Sequence, residues 1–177
     1  MTYPQYVDGL ILSDASGGPD INPAPMTLSS VVAQIPVVNL LLDFITPRAL
    51  VKSGLEDATR VAGIVTDEKI ERYWHLLRRP GNRQAMRKRL TAPNNDAIFR
   101  SELAQMHTPT LILWGREDQF VDLADGLWFG KTIPNAQVAV YDGVGHLPMV
   151  EVPVLSAIDV REFLQSLPSR VPEPHAN

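Results

Sequence analysis

Hydrophobic residues along the chain form two kinds of pattern: short continuous runs and longer stretches with helical spacing. Three apolar runs, Val7–Ser13, Pro109–Trp114 and Ala136–Tyr141, predict three buried strands. Residues 20–105 have helix-sized spacing throughout, and no strand is predicted there. Between the second and third runs, Val121–Lys131 predicts a further helix.

The helical zone is divided by prolines and glycines. Its segments are predicted at Leu28–Leu55 (broken near Pro36 and Pro47), Asp67–Arg79, Asn82–Leu90 and Ala97–Met106. A closing helix is predicted over Pro153–Leu167, because proline suits a first helical turn and one face would carry Val160, Phe163, Leu164 and Leu167. Continuous apolar strands that alternate with helices predict an α/β fold with a mostly parallel sheet covered on both sides.

Chemically useful side chains follow the second and third predicted strands. Gly115-Arg116-Glu117-Asp118 follows one, and Asp142-Gly143-Val144-Gly145-His146 follows the other. Reactive groups of open parallel sheets collect at the carboxyl ends of strands, so this order predicts an Asp118–His146 pair. The carboxylate would fix the tautomer of an imidazole that acts as a general base.

Composition excludes several classes of function. A net charge of −4 and a pI near 5.5 do not match nucleic-acid binding. No stretch has the roughly 20 apolar residues of a membrane span, and the N-terminal residues do not resemble a signal peptide. The absence of cysteine is compatible with a cytoplasmic location. No metal-ligand spacing is present, and neither a metal nor a cofactor is expected.

The segments TPTLILWGREDQFVD and IPNAQVAVYDGVGHLPMVEVP resemble the acid loop and the histidine loop of the α/β-hydrolase fold superfamily. YVDGLILSDASGG is similar to the strand that leads into the lid of that family. The resemblance implies four parts: a core strand and lid entry over residues 1–18, a helical lid over 19–106, the C-terminal α/β core over 107–168 and a loose tail over 169–177. It assigns the catalytic acid to Asp118 and the catalytic histidine to His146.

The chain departs from the family pattern at the nucleophile. That family places its nucleophile on a G-x-S-x-G turn between a strand and a helix, and no such motif occurs in these 177 residues. Ser16 follows a predicted strand, but Pro19 and Pro23 come too soon after it for the required helix. The expectation is therefore the rear half of a hydrolase, inactive alone, with its nucleophile on a missing N-terminal half.

Other residues compete for roles in the site. Asp14 follows the first predicted strand and is a rival for the catalytic acid. Glu151 is expected to cap the final helix near its N-terminal turn. The basic residues are expected to form a solvated outer face of the lid, comprising Arg72, Arg78, Arg79, Arg83, Arg87, Lys88 and Arg89. Within the lid, Tyr73, Trp74 or Arg83 could reach a substrate, and the apolar stretch Val31–Ile45 either lines a pocket or packs on the core.

The predicted function is that of a cofactor-free ester or acyl hydrolase. His146 and Asp118 would activate a serine on the upstream half. The expected substrate is a small apolar ester or a related compound. Two alternatives remain open: a relative with an aspartate nucleophile (an epoxide hydrolase or dehalogenase), and a non-catalytic remnant or interaction module. An unpaired edge on the first strand would invite association.

Overall fold

A computed structural model describes residues 6–19, 21–22, 45–91 and 96–168, with the side chains of 89–91 and 96–99 excepted. The predictions for the tail, for Val31–Phe44 and for the first part of the Leu28–Leu55 helix lie outside these residues. Within them, β1 (Leu10–Ser13), β2 (Thr110–Gly115) and β3 (Ala136–Tyr141) form one sheet in the order β1-β2-β3. Both pairings are parallel, which confirms the predicted sheet.

Seven helices accompany the strands in the described parts of the chain. They are α1 (Arg48–Ala58), α2 (Asp67–Leu77), α3 (Asn82–Thr91), α4 (Asp96–Leu103), α5 (Leu123–Thr132), α6 (Pro148–Glu151) and α7 (Pro153–Ser166). The first four lie between β1 and β2, and residues 45–91 and 96–103 contain no strand, in agreement with the helical prediction. The short helix α6 was not predicted.

The core lies on both faces of β2, all six residues of which are buried. Ile112 and Trp114 pack with Phe129 of α5 on one face. Leu111 and Leu113 pack with Phe163 of α7 on the other. Successive side chains of a strand point to opposite faces, so an uninterrupted apolar strand needs cover on both sides, and α5 and α7 provide it.

Two details differ from the sequence predictions. β1 begins at Leu10, whose N–H donates to the carbonyl of Pro109 (2.9 Å). Proline has no N–H to return, so the parallel ladder does not extend back toward Val7. On α7, the predicted apolar face is wrong in one member: Leu164 is 54% exposed, whereas Phe163 is 2% exposed.

The boundaries proposed for the lid, the core and the tail stay predictions. None of the helices in the described ranges combines the length and the apolar character that crossing a bilayer requires.

Candidate active site

The loops that follow β2 and β3 are joined beyond the ends of their strands. Arg116 N–H donates to the carbonyl of Tyr141 (3.0 Å), and Glu117 N–H donates to the carbonyl of Val144 (3.0 Å). Val144 N–H in turn donates to the Glu117 carboxylate (3.1 Å). The parallel ladder thus continues into both loops and brings the residues after them to one edge of the sheet.

Glycine is required where these loops approach each other. A Cβ atom on Gly115 would overlap the carbonyl oxygen of Gly145. A Cβ atom on Gly145 would lie 2.6 Å from the carbonyl oxygen of Ala58, at the end of α1. The two glycines of the sequence pattern therefore permit close backbone packing.

Asp118 and His146 meet as the sequence predicts: Asp118 Oδ2 lies 2.8 Å from His146 Nδ1. The other oxygen of Asp118 accepts from the N–H groups of Phe120 (2.7 Å) and Val121 (3.2 Å). The Asp118 side chain is fully buried, whereas that of His146 is 29% exposed. An ionised carboxylate only accepts hydrogen bonds, so Nδ1 carries the proton and Nε2 is left as the basic nitrogen.

The surroundings of His146 favour its charged form. Burial acts to lower the pKa of the imidazole, but the hydrogen bond and negative charge of Asp118 outweigh burial, and Asp14 and Glu151 add to the effect, so the pKa lies above its ordinary value. The ring of Phe120 packs edge-on against the imidazole, with ring centroids 5.2 Å apart. The imidazole can therefore accept a proton and hold it in a fixed orientation.

Asp14 lies beside this pair but has different partners. Its Oδ1 accepts from Gly115 N–H (2.9 Å), and its Oδ2 accepts from the hydroxyl of Ser13 (3.1 Å). Its backbone is left-handed, with φ of 42°. Burial, together with the charge of Asp118, raises the pKa of Asp14 to about 7, against the opposing effect of the Gly115 N–H. Of the two candidate acids, Asp118 is the one bonded to His146.

Asp14, Asp118 and His146 also form the one group of potential metal ligands within the described ranges. One ligand atom from each lies within 4.8 Å of the others. In this arrangement, Asp118 is already engaged by the imidazole and by two backbone N–H groups. The geometry is that of a hydrogen-bonded acid–base group.

Two other sequence candidates, Ser16 and Trp74, lie in settings that do not match the roles considered for them. Ser16 is exposed, and residues 14–19 and 21–22 contain no helix, so the nucleophile turn is not formed there. Trp74 donates from its indole to the carbonyl of Thr46 (2.7 Å) and packs under Arg78 (4.1 Å), so it supports the helical zone.

Sequence reasoning missed the part played by Glu151. It was expected to cap α7, but it belongs to α6 and is 4% exposed. One of its oxygens accepts from Gly145 N–H (2.9 Å) and Leu147 N–H (3.3 Å). The other accepts from Arg60 N–H (2.5 Å) and Val61 N–H (3.0 Å). The only sequence signal for this role was the position of a carboxylate five residues after the loop histidine. Arg60 and Val61 lie some ninety residues away from Glu151, so no local pattern links them to it.

Known proteins that resemble the chain are hydrolases. A 2-hydroxy-6-oxononadienedioate/2-hydroxy-6-oxononatrienedioate hydrolase of Cupriavidus pinatubonensis is 34% identical over 48% of this chain and 30% of its own length. An enzyme of the same name from Burkholderia vietnamiensis is 28% identical over 82% of this chain and 50% of its own length. Lipase 3 of a Moraxella strain is 37% identical over 37% of this chain and 21% of its own length. No protein-family model matches the chain.

Solved structures show the fold of the chain. The meta-cleavage product hydrolase of Pseudomonas fluorescens IP01 superimposes with a TM-score of 0.68 and 22% identity, over 93% of this chain and 59% of its own. The 2-hydroxy-6-oxo-6-phenylhexa-2,4-dienoate hydrolase of a Rhodococcus strain gives a TM-score of 0.70.

The chain spans about half the length, or less, of the curated relatives that it matches. Its three parallel strands, the helices between β1 and β2, and these likenesses in sequence and structure agree with one another. The chain belongs to the α/β-hydrolase fold superfamily, and its described residues form part of that fold.

Proposed function

We propose that the chain carries the acid and the histidine of a serine-type ester or acyl hydrolase. His146 takes the proton of a serine hydroxyl through Nε2 and returns it to the leaving group, while Asp118 holds the imidazole and stabilises its protonated form. The observation that carries this proposal is the 2.8 Å contact between His146 Nδ1 and the buried Asp118 carboxylate.

The nucleophile comes from a segment outside these 177 residues. Three observations support this part of the proposal. The sequence contains no G-x-S-x-G motif. The curated relatives are at least about twice as long as the segments they share with this chain. Within the described residues, β1 has β2 on one side and no strand on the other, so a further strand can add there.

The substrate class is proposed from the relatives. Their names describe lipases and hydrolases of 2-hydroxy-6-oxononadienedioate and 2-hydroxy-6-oxononatrienedioate. These two dioates are small organic molecules. An apolar ester or a related acyl compound follows from the lipase names and not from the dioates, which are dicarboxylates. It fits a partly exposed imidazole that is packed against Phe120. No described contact favours an aspartate nucleophile or a purely non-catalytic role, and both are outcomes of the test below.

The test begins with the DNA upstream of Met1. The proposal expects an in-frame strand, a G-x-S-x-G turn and a helix there. Co-expression of that segment with this chain should give hydrolysis of p-nitrophenyl acetate, whereas the chain alone should give none above background.

Two variants complete the test. His146→Ala should abolish the activity of the joined enzyme, which is this chain co-expressed with the upstream segment. His75→Ala, at an exposed histidine on α2 that lies near Glu71, should leave it unchanged. An upstream aspartate at the turn would favour the dehalogenase-like alternative. A stop codon with no such turn would favour the non-catalytic one.

A further inference from the structure

Three N–H groups fix the backbone around His146. Gly145 and Leu147, on either side of the histidine, both donate to Oε1 of Glu151. The N–H of His146 itself donates to the carbonyl of Ala58 (2.7 Å), at the end of α1. Three successive peptide units are thus held, two by one carboxylate and one by the end of a helix.

The second oxygen of Glu151 connects this loop to a distant part of the chain. Oε2 accepts from Arg60 and Val61, which come after α1 and its C-cap residue Thr59. Both of these contacts come from backbone N–H groups, while the Nη1 atom of the Arg60 guanidinium donates to the carbonyls of Glu56 and Thr59. The Glu151 carboxylate therefore accepts hydrogen bonds from four backbone N–H groups. Because such bonds depend on distance and direction, they fix the position of the carboxylate relative to both segments.

We infer that Glu151 is a positioning residue for His146: its buried carboxylate joins the histidine loop to the segment after α1 and thereby holds the imidazole against Asp118. The inference rests on the proposed function for its catalytic meaning, but the geometry that it describes is a property of this chain alone.

A shorter acidic side chain at position 151 distinguishes a role through position from a role through charge. Glu151→Asp keeps the negative charge but is shorter by one C–C bond, about 1.5 Å, so it cannot reach both pairs of N–H groups. The histidine loop then loses its connection to Arg60 and Val61, and the imidazole is no longer held at hydrogen-bonding distance from Asp118. A role through charge alone would survive this replacement.

The experiment uses NMR on the full chain. In the wild type, the Nδ1 proton of His146 should give a resonance shifted far downfield by its bond to Asp118. In Glu151→Asp, this resonance should disappear and the pKa of His146 should fall by about half a pH unit or more, while circular dichroism shows a folded chain. The matched control, Glu162→Asp at an exposed position of α7, should leave both signals unchanged.

A folded Glu151→Asp protein with an unchanged His146 resonance and pKa would overturn the inference and leave Glu151 a purely structural role. Should this variant not fold, hydrogen exchange of the wild-type chain decides. The amides of Arg60, Val61, Gly145 and Leu147 should be protected and should open together. Unprotected amides at Arg60 and Val61 beside protected ones at Gly145 and Leu147 would contradict the bridge.

The readout is independent of turnover. A joined enzyme whose activity does not depend on His146, but whose His146 signals respond to Glu151→Asp, would count against the proposed function alone.

Discussion

Two aspartates at neighbouring strand ends differ because of their partners. Asp118 is held by two backbone N–H groups and by the imidazole of His146. Asp14 has one backbone N–H and the hydroxyl of Ser13, and it lies close to the charge of Asp118. Burial and the nearby charge of Asp118 favour a proton on Asp14 near neutral pH.

The first prediction concerns the stability of the chain between about pH 4 and pH 7. The pKa of Asp14 is raised from 3.8 to about 7 in the folded state, so folding takes up a proton in this range and the free energy of unfolding falls as the pH rises. A rise of about three pH units corresponds to roughly 4 kcal/mol. Asp14→Asn keeps an acceptor for Gly115 N–H and should remove most of this decline.

Urea unfolding of the wild type and of Asp14→Asn at several pH values measures this effect. Above pH 7 the variant should be the more stable protein. In both proteins the free energy of unfolding should still fall somewhat at higher pH, because the pKa of His146 is raised in the folded state. Its contribution to stability is fully present below pH 6.5, the ordinary pKa of histidine, and is lost as the pH rises through the pKa of the folded protein. Parallel pH profiles of the two proteins would contradict the assignment to Asp14.

Among the secondary-structure elements, those with the simplest local patterns were predicted best. β3 was predicted at its observed bounds, and the predicted bounds of β2 and α7 differ by one residue from the observed ones. Apolar runs and helical spacing are local signals, so sequence reasoning can find them. The site pair was also predictable, because parallel strands end at the same edge of a sheet.

What the sequence could not predict depends on contacts between distant residues. The bridge from Glu151 to Arg60 and Val61 joins segments that no periodicity connects. The early end of pairing at Leu10 depends on Pro109 of the neighbouring strand. The exposure of Leu164 depends on which residues of α7 the sheet covers, and helical spacing defines that face only approximately.

The second prediction concerns the contact between the loops after β2 and β3. In Gly115→Ala, the new methyl group would overlap the carbonyl of Gly145, so the histidine loop must move and the chain should lose about 2 kcal/mol of stability. Gly54→Ala is the matched control. It lies within α1, and a Cβ atom added there would have no neighbouring atom within 4 Å, so the change should be neutral or stabilising by up to about 1 kcal/mol.

Urea unfolding of both variants provides the measurement. Equal stabilities for Gly115→Ala and the wild type would show that the loops do not approach each other as closely as described.

For the molecule as a whole, the described sheet has two edge strands, β1 and β3. β1 is the edge at which the proposed N-terminal half would add a strand, and Ile11 on this strand is 38% exposed. An exposed edge strand presents unpaired N–H and carbonyl groups that can pair with another chain. The chain alone is therefore expected to self-associate as its concentration rises, in the absence of the proposed N-terminal half.

The third prediction follows from this edge. Ile11→Lys places a charge on β1 and should reduce self-association, as measured by sedimentation velocity over a range of concentrations. Val154→Lys, at a residue of α7 that is 71% exposed, is the control for an added charge elsewhere and should have little effect. If Val154→Lys disperses the chain and Ile11→Lys does not, the association involves α7 and not the edge of the sheet.

The central claim is that Asp118 holds His146 as an oriented base, and an NMR titration of the His146 imidazole tests it most directly. In the wild type the pKa should lie above 6.5. In Asp118→Asn the negative charge is lost. The amide oxygen stays with the N–H groups of Phe120 and Val121, so the amide NH2 faces Nδ1 and no longer accepts its proton. Burial remains, so the pKa of His146 should fall below 6.5. An ordinary pKa that is the same in both proteins would contradict the account.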